Sequence, residues 1–143
     1  MEAANSVFDF LFYGILDKHP GLKLVTVENE IGWIPFCLQQ WDYYYRRFRE
    51  SNPPLIDKEP SYFFNRQGYA TFFNDAVGAH NLAWVNPDNY MWSNDFPHPN
   101  STWPNSLKVI ERDLGTLPED RRRKLLRENV SRLYNLQVAR PVR

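Results

Sequence analysis

The sequence predicts an α/β fold with a parallel sheet, and two observations support this class. Three short segments, residues 22–29, 68–75 and 90–95, have the length and the β-branched or aromatic content of strands. Segments with helical periodicity lie before, between and after them, joined by short connections. Strands that alternate with helices usually pair in parallel, so we expect one α/β unit over residues 1–143.

The first half of the chain has the pattern helix, strand, helix. Apolar residues recur at helical spacing over residues 5–19, and the sequence His-Pro-Gly ends this helix. Residues 22–29 are mostly apolar on both faces, as expected of a strand that is covered on both sides. In the next helix Pro35 occupies the first turn, where proline is tolerated. One face of that helix carries Ile34, Cys37, Leu38, Trp41, Tyr45 and Phe48.

The second half begins with a short helical turn, residues 61–67, and then contains two strands. A turn cluster at residues 86–89 separates the strands, and the proline-rich loop FPHPNSTWP follows the second of them. A helix is predicted over 105–114, and another with Thr116 as N-cap and Glu119 closing a capping box. The last helix has an apolar stripe of Leu125, Leu126, Val130 and Leu133.

The composition excludes several classes of function. With 17 basic and 17 acidic residues, the chain has no net charge to attract nucleic acid or an anionic membrane. No apolar stretch approaches the roughly 18 residues of a membrane span, and the first residues lack a signal-peptide pattern. Cys37 is the only cysteine, which excludes an internal disulfide. We therefore expect a cytoplasmic protein with no nucleic-acid or membrane partner.

The first candidate site is the polar triplet Glu28, Asn29 and Glu30 at the end of the first strand. The carboxyl ends of parallel strands are where such folds place their chemistry. Glu28 and Glu30 would share one direction for as long as the strand persists, since alternate residues face the same side. The alternative is that the carboxylates cap the helix beginning near Gly32.

The second candidate site is the sequence SNDFPHP, in which Asp95 ends a strand and His98 follows on a proline-rich loop. A carboxylate and an imidazole can bind a divalent metal or transfer a proton. The alternative is a turn aspartate beside an exposed histidine. Asn74 and Asp75 end the intervening strand, so polar residues at three strand ends favour a shared site.

Four segments follow one another along the chain: HPGLKLVTVENEIGWIPF, PSYFFNRQGYATFFND, NPDNYMWSNDFPHPNSTWPNS and RRRKLLRENVSRLYNL. Together, and in this order, they resemble the C-terminal part of the amidohydrolase-related family, which includes aminocarboxymuconate-semialdehyde decarboxylase-like enzymes. The resemblance implies part of a TIM (β/α)8 barrel, with the three strands corresponding to about strands six to eight. A complete barrel needs roughly 250 residues, so the barrel is partial here.

The resemblance also implies a divalent metal, with zinc as the first choice, and roles for three residues. Asp95 matches the family's last-strand aspartate, which binds the metal and accepts a proton. His98 matches a histidine that supports the metal site or orients the substrate, and Glu28 matches a glutamate of one branch. Asn29 stands about where the decarboxylase-like branch has a catalytic histidine. The family's N-terminal histidine pair and mid-barrel histidine have no counterpart in this sequence. The chain by itself is therefore expected to lack catalytic activity and, in the extreme case, to bind no metal ion at all.

These observations lead to two main functional hypotheses. The first is a metal-dependent hydrolase or decarboxylase of a small carboxylated or ring-containing substrate, in which the chain pairs with a missing N-terminal part or with another copy. The alternative is a non-catalytic interaction or structural subunit that has lost the metal site. Nucleic-acid binding through the Arg- and Tyr-rich residues 43–49 ranks below both, because net charge is zero and no recognised motif accompanies them.

Overall fold

The computed structural model describes residues 2–137, which form a three-stranded sheet and a set of helices. The strands are β1 (Leu24–Thr26), β2 (Gly68–Phe72) and β3 (Tyr90–Trp92). The longer helices are α1 (Glu2–Phe12), α3 (Ile34–Phe48), α4 (Pro60–Gln67) and α6 (Ser106–Leu114). The shorter ones are α2 (Ile15–Lys18), α5 (Ala76–His80), α7 (Glu119–Arg123) and α8 (Asn129–Tyr134), with a π-helical turn at Lys124–Glu128 joining the last two.

The sheet is parallel throughout, with the order β1-β2-β3, which confirms the predicted strand pairing. Val25 is opposite Tyr69 in the first pair, and Thr71 is opposite Met91 in the second. The strands are shorter than predicted because pairing stops before the polar residues at each strand end. All three carboxyl ends therefore lie at the same edge of the sheet.

One face of the sheet packs against the helices, and the other is more open. On β2, Ala70 and Phe72 are buried in the core cluster, whereas Tyr69 and Thr71 point the other way and are half-buried. Val27, just after β1, is 50% exposed. The expectation that residues 22–29 are covered on both faces is therefore wrong for the described residues.

The predicted helix over residues 5–19 is broken into α1 and α2. Gly14 causes the break, because its φ is +69°, a left-handed conformation that side chains disfavour. A Cβ at Gly14 would also lie 3.4 Å from the Leu55 carbonyl oxygen, so the loop at residue 55 packs closely here. The two helices thereby form a corner around the 52–56 segment.

We predict that Gly14→Ala destabilises the protein by about 1–2 kcal/mol, the usual cost of a left-handed alanine. Urea denaturation followed by circular dichroism measures this change. Gly21→Ala is the matched control, because Gly21 does not have a positive φ and a Cβ at this position would meet no described atom within 4 Å. Equal stability of the two variants would contradict the prediction.

Two other local predictions fail. Residues 76–84 contain α5 and a 3-10 turn, Asn81–Trp84, where only a short link between strands was expected. The capping box at Thr116 is not formed, because Pro118 is the N-cap of α7 and no side chain caps this helix.

In the last helices Leu125 is buried, Leu126 and Val130 are half-buried, and the polar Asn129 is fully buried. The predicted helices at 105–114 and 61–67 are confirmed within one residue at each end.

Candidate metal centre

Glu28 and Asp95 follow the two outer strands of the sheet, and the fold brings their carboxylates together. His98 joins them, so that ligand atoms of all three side chains lie within 4.8 Å of one another. Glu28 and His98 are exposed, and Asp95 is half-buried. The structure thus brings together three residues that the sequence predicts as site residues, from segments about 70 residues apart. Within residues 2–137, this is the one cluster of three or more side chains that could hold a metal ion.

The loop after β3 presents Asp95 and His98 on one tight turn. Asp95 has a φ of +60°, and its carbonyl accepts a hydrogen bond from the His98 amide at 2.8 Å. His98 Nδ1 consequently lies 3.0 Å from Asp95 Oδ2. The Asn94 carbonyl accepts hydrogen bonds from the Ser101 hydroxyl, at 2.6 Å, and the Thr102 amide, at 3.1 Å, which fix the loop.

The electrostatics of the cluster favour a bound cation. A hydrogen bond with Asp95 and the charge of that carboxylate raise the pKa of Glu28, while His98 acts in the opposite direction. Two carboxylates at this spacing repel each other when both are ionised, and a divalent cation between them would remove that repulsion. The two carboxylates together are therefore able to accept a divalent cation.

Asp95 Oδ2 supplies an independent test of whether a metal fits. This oxygen is buried and has no hydrogen-bond partner, since its contact with His98 Nδ1 lacks hydrogen-bond alignment. Buried carboxylate oxygens are normally hydrogen-bonded, so an unsatisfied one needs an explanation. Carboxylate oxygens and an imidazole nitrogen are accepted ligands of divalent cations such as Mn²⁺ and Zn²⁺. These residues therefore fit such an ion.

Glu30 does not join the cluster, because the strand does not persist to residue 30 and the condition for a direction shared with Glu28 is not met. Its carboxylate accepts hydrogen bonds from the amides of Phe73, at 3.2 Å, and Asn74, at 3.3 Å, and burial raises its pKa. The reason is that the strand ends at Thr26 and Glu28 and Glu30 have φ values of +61° and +54°. Strand alternation consequently no longer applies to them.

The end of β2 is structural and contributes no ligand to the cluster. Asp75 accepts hydrogen bonds from the amides of Ile31, Gly32 and Gly78 at 2.8, 2.6 and 2.7 Å. Asn74 accepts one from Arg112 at 2.5 Å. The predicted alternative, that Glu28 to Glu30 cap α3, is also wrong, because Asp75 binds the amides at that turn.

Two further residues position this region. The Thr71 hydroxyl accepts a hydrogen bond from the Glu28 amide at 3.2 Å, and it was not singled out in the sequence. In the sequence, the one indication of this role is that Thr71 is a polar residue within an apolar strand. Asn29 turns into its own loop, where its side-chain amide donates to the Val27 carbonyl at 2.6 Å.

A model of the amidohydrolase family matches residues 4–136. The chain belongs to this family. No functionally curated protein matches it significantly. Among solved structures, 5-carboxyvanillate decarboxylase LigW from Sphingomonas paucimobilis is similar, with 23% identity and a TM-score of 0.75 over 94% of this chain and 40% of that one.

Two other similar structures contain manganese. Dihydroxybenzoic acid decarboxylase from Polaromonas sp. JS666, with the inhibitor 2-nitroresorcinol, has 18% identity and a TM-score of 0.77 over 95% of this chain and 40% of that one. 5-Carboxyvanillate decarboxylase from Novosphingobium aromaticivorans, with 4-hydroxy-3-methoxy-5-nitrobenzoic acid, has 15% identity and a TM-score of 0.76 over 93% and 38%.

This amidohydrolase chain spans about 40% of the length of these TIM-barrel relatives. The α/β fold with three parallel strands is thus confirmed as part of that architecture. Manganese is the metal in the two relatives, and zinc remains a prediction for this chain. Among the described residues, no helix combines the length and apolar character that a membrane span requires.

Proposed function

We propose that this chain supplies part of the active site of a metal-dependent decarboxylase or hydrolase of small aromatic carboxylates. The observation that carries the proposal is the convergence of Glu28, Asp95 and His98 at the carboxyl edge of a parallel sheet. In the proposed enzyme, residues 1–143 form one unit that corresponds to about strands six to eight of the barrel. The remaining ligands come from the other strands, which lie in another part of the protein or in a partner.

In this proposal Asp95 and Glu28 hold the metal through carboxylate oxygens, and His98 lies beside them. Manganese is preferred over zinc because it is the ion in the similar decarboxylases. A bound divalent ion supplies Lewis-acid polarisation of a substrate oxygen and stabilises negative charge. The unsatisfied Asp95 Oδ2 supports the assignment of this residue as a ligand.

In the proposed reaction, side chains of this chain exchange a proton with the substrate and contact its aromatic ring. His98 Nδ1 lies 3.0 Å from Asp95 Oδ2 and its side chain is exposed, so in this proposal the imidazole faces the space beside the metal, where it can exchange a proton with a bound substrate. The rings of Phe96 and Trp103 lie on the same loop, in edge-to-face contact at 5.6 Å, and are 60% and 61% exposed. Exposed rings next to a cationic site suit an aromatic carboxylate, the ligand class of the relatives.

Manganese titration of the purified chain, read by electron paramagnetic resonance of the free ion, tests the proposal. We predict saturable binding that Asp95→Asn weakens at least about tenfold, since loss of even a supporting group at a metal site costs roughly tenfold to a hundredfold. Glu28→Gln should act in the same direction. Asp57→Asn is the control, because Asp57 is an exposed loop residue outside the cluster.

Binding that Asp95→Asn and Glu28→Gln leave unchanged would overturn the metal proposal and support the alternative of a non-catalytic interaction subunit. Release of CO₂ from 5-carboxyvanillate and 2,6-dihydroxybenzoate, substrates of the relatives, tests the reaction class. Turnover that requires Mn²⁺ and is lost in Asp95→Asn would support the decarboxylase form of the proposal.

A further inference from the structure

A groove lined by aromatic rings lies on the helical layer of the protein, between α1 and α3. The segment from Asn52 to Leu55 closes one side, and the enclosed space is about 570 Å³. Pockets that bind small organic molecules have volumes of roughly 300–1,000 Å³. The groove shares no residue with the Glu28, Asp95 and His98 cluster, so its function is a separate question.

The walls of the groove are preformed by ring contacts. Phe8 stacks on Phe12 with ring centroids 4.1 Å apart, and Trp41 meets Phe8 edge-on at 5.7 Å. On α3, Tyr44 and Phe48 lie nearly parallel with centroids 6.0 Å apart. Tyr44 and Phe48 are 51% and 46% exposed, and the Arg47 guanidinium lies over the Phe48 ring at 5.6 Å from its centroid, so part of the ring surface remains accessible to a flat ligand.

The charge that lines the groove is positive. Arg49 is the one charged residue among the described residues that line it, and no carboxylate contributes. The neighbouring arginines have partners: Arg46 pairs with Glu59 at 2.8 Å, and Arg47 donates to the Tyr43 hydroxyl at 2.9 Å and lies over the Phe48 ring. Within residues 2–137, Arg49 has no ion-pair or side-chain hydrogen-bond partner. An unpaired guanidinium beside exposed rings is complementary to an anion that carries an aromatic ring.

We propose that this groove binds a small aromatic anion of one or two rings, with the ring against Tyr44 and Phe48 and the anionic group on Arg49. The rings provide apolar and stacking contact, and the guanidinium provides the charge-assisted hydrogen bonds that select an acid over a neutral analogue. The inference does not rest on the proposed function, since neither the metal cluster nor its ligands take part.

Isothermal titration calorimetry of the full chain with 2-naphthoate and with its neutral analogue 2-naphthamide tests this inference. We expect 2-naphthoate to bind more tightly than 2-naphthamide by about fivefold to tenfold, and Arg49→Gln to remove that difference while leaving 2-naphthamide unaffected. Phe48→Ala should weaken both ligands. Arg66→Gln is the matched control, because Arg66 is an exposed arginine outside the groove.

Three outcomes would overturn the proposal. They are equal affinity for acid and amide, equal weakening by Arg49→Gln and Arg66→Gln, and no detectable binding of 2-naphthoate at millimolar concentration. The competing explanation is that a second copy of the chain occupies the groove. Sedimentation of the protein over a range of concentrations tests this by measuring self-association. Self-association that Phe48→Ala abolishes and 2-naphthoate does not reverse would assign the groove to that copy instead.

Discussion

Replacing Asp75 with alanine is expected to destabilise the protein by about 3–5 kcal/mol. One carboxylate accepts three backbone N–H groups, from Ile31, Gly32 and Gly78, at distances of 2.6 to 2.8 Å. Hydrogen bonds to a charged group contribute about 1.5–3 kcal/mol each, although neighbouring bonds do not add fully. Alanine would leave three donors of a packed turn without a partner.

The position of Asp75 makes this effect specific to one junction. Its side chain joins the turn before α3 to the first turn of α5, and a Cβ at Gly78 would lie only 2.5 Å from Asp75 Oδ2. The loop that carries Glu28 is therefore held in place from the end of β2. We expect Asp75→Asn to have a smaller effect than Asp75→Ala, since an amide retains one acceptor oxygen.

Urea denaturation of the two variants measures both effects. Asp57→Ala is the control, because this exposed aspartate has no hydrogen-bond partner among the described residues. A cost below about 1 kcal/mol for Asp75→Ala would mean that water replaces the carboxylate, and the structural role would be wrong.

The second large effect is expected for Asn129→Ala, at about 2–4 kcal/mol. Asn129 is fully buried, and its side-chain amide donates to the carbonyls of Pro87 and Tyr90 at 2.9 and 2.8 Å. These carbonyls flank the start of β3, so one side chain joins the last helix to the outer strand. Alanine would leave a cavity, and the buried Tyr90 carbonyl and the part-buried Pro87 carbonyl would each lose a donor.

Thermal and urea unfolding of Asn129→Ala, alongside Asn129→Asp, measures this contribution. Aspartate has nearly the same shape but cannot donate when ionised, so its variant should be the less stable of the two. Asn100→Ala is the control, an exposed loop asparagine without a side-chain hydrogen bond in residues 2–137. If Asn129→Asp were as stable as the parent chain, the donated hydrogen bonds would be irrelevant.

The parallel sheet could be predicted because its signal is local and repeated. Each strand is a short apolar segment bounded by polar residues, and the longer helices have clear periodicity. The break at Gly14 could not be predicted, because an isolated glycine in a helical pattern is often tolerated. The sequence does not reveal the helix α5, because AVGAH is too short for periodicity to appear.

Some features of the candidate site can likewise be predicted from the sequence, and others cannot. Glu28, Asp95 and His98 can be placed together from the sequence, because the strand ends of a parallel sheet meet at one edge. The different directions of Glu28 and Glu30 depend on left-handed backbone angles, which no residue type in this segment signals. The role of Asp75 depends on tertiary contact with Ile31 and Gly32, more than 40 positions earlier in the chain.

The left-handed residues at the strand ends have a consequence for engineering. Glu28, Glu30 and Asp95 each have φ between +54° and +61°, where a side chain costs about 1–2 kcal/mol relative to glycine. Backbone energy alone therefore favours glycine at these positions. A thermostabilisation campaign that ranks substitutions by folding energy would choose glycine at residues 28 and 95, and would delete both carboxylates of the candidate metal centre while improving the protein by its own criterion.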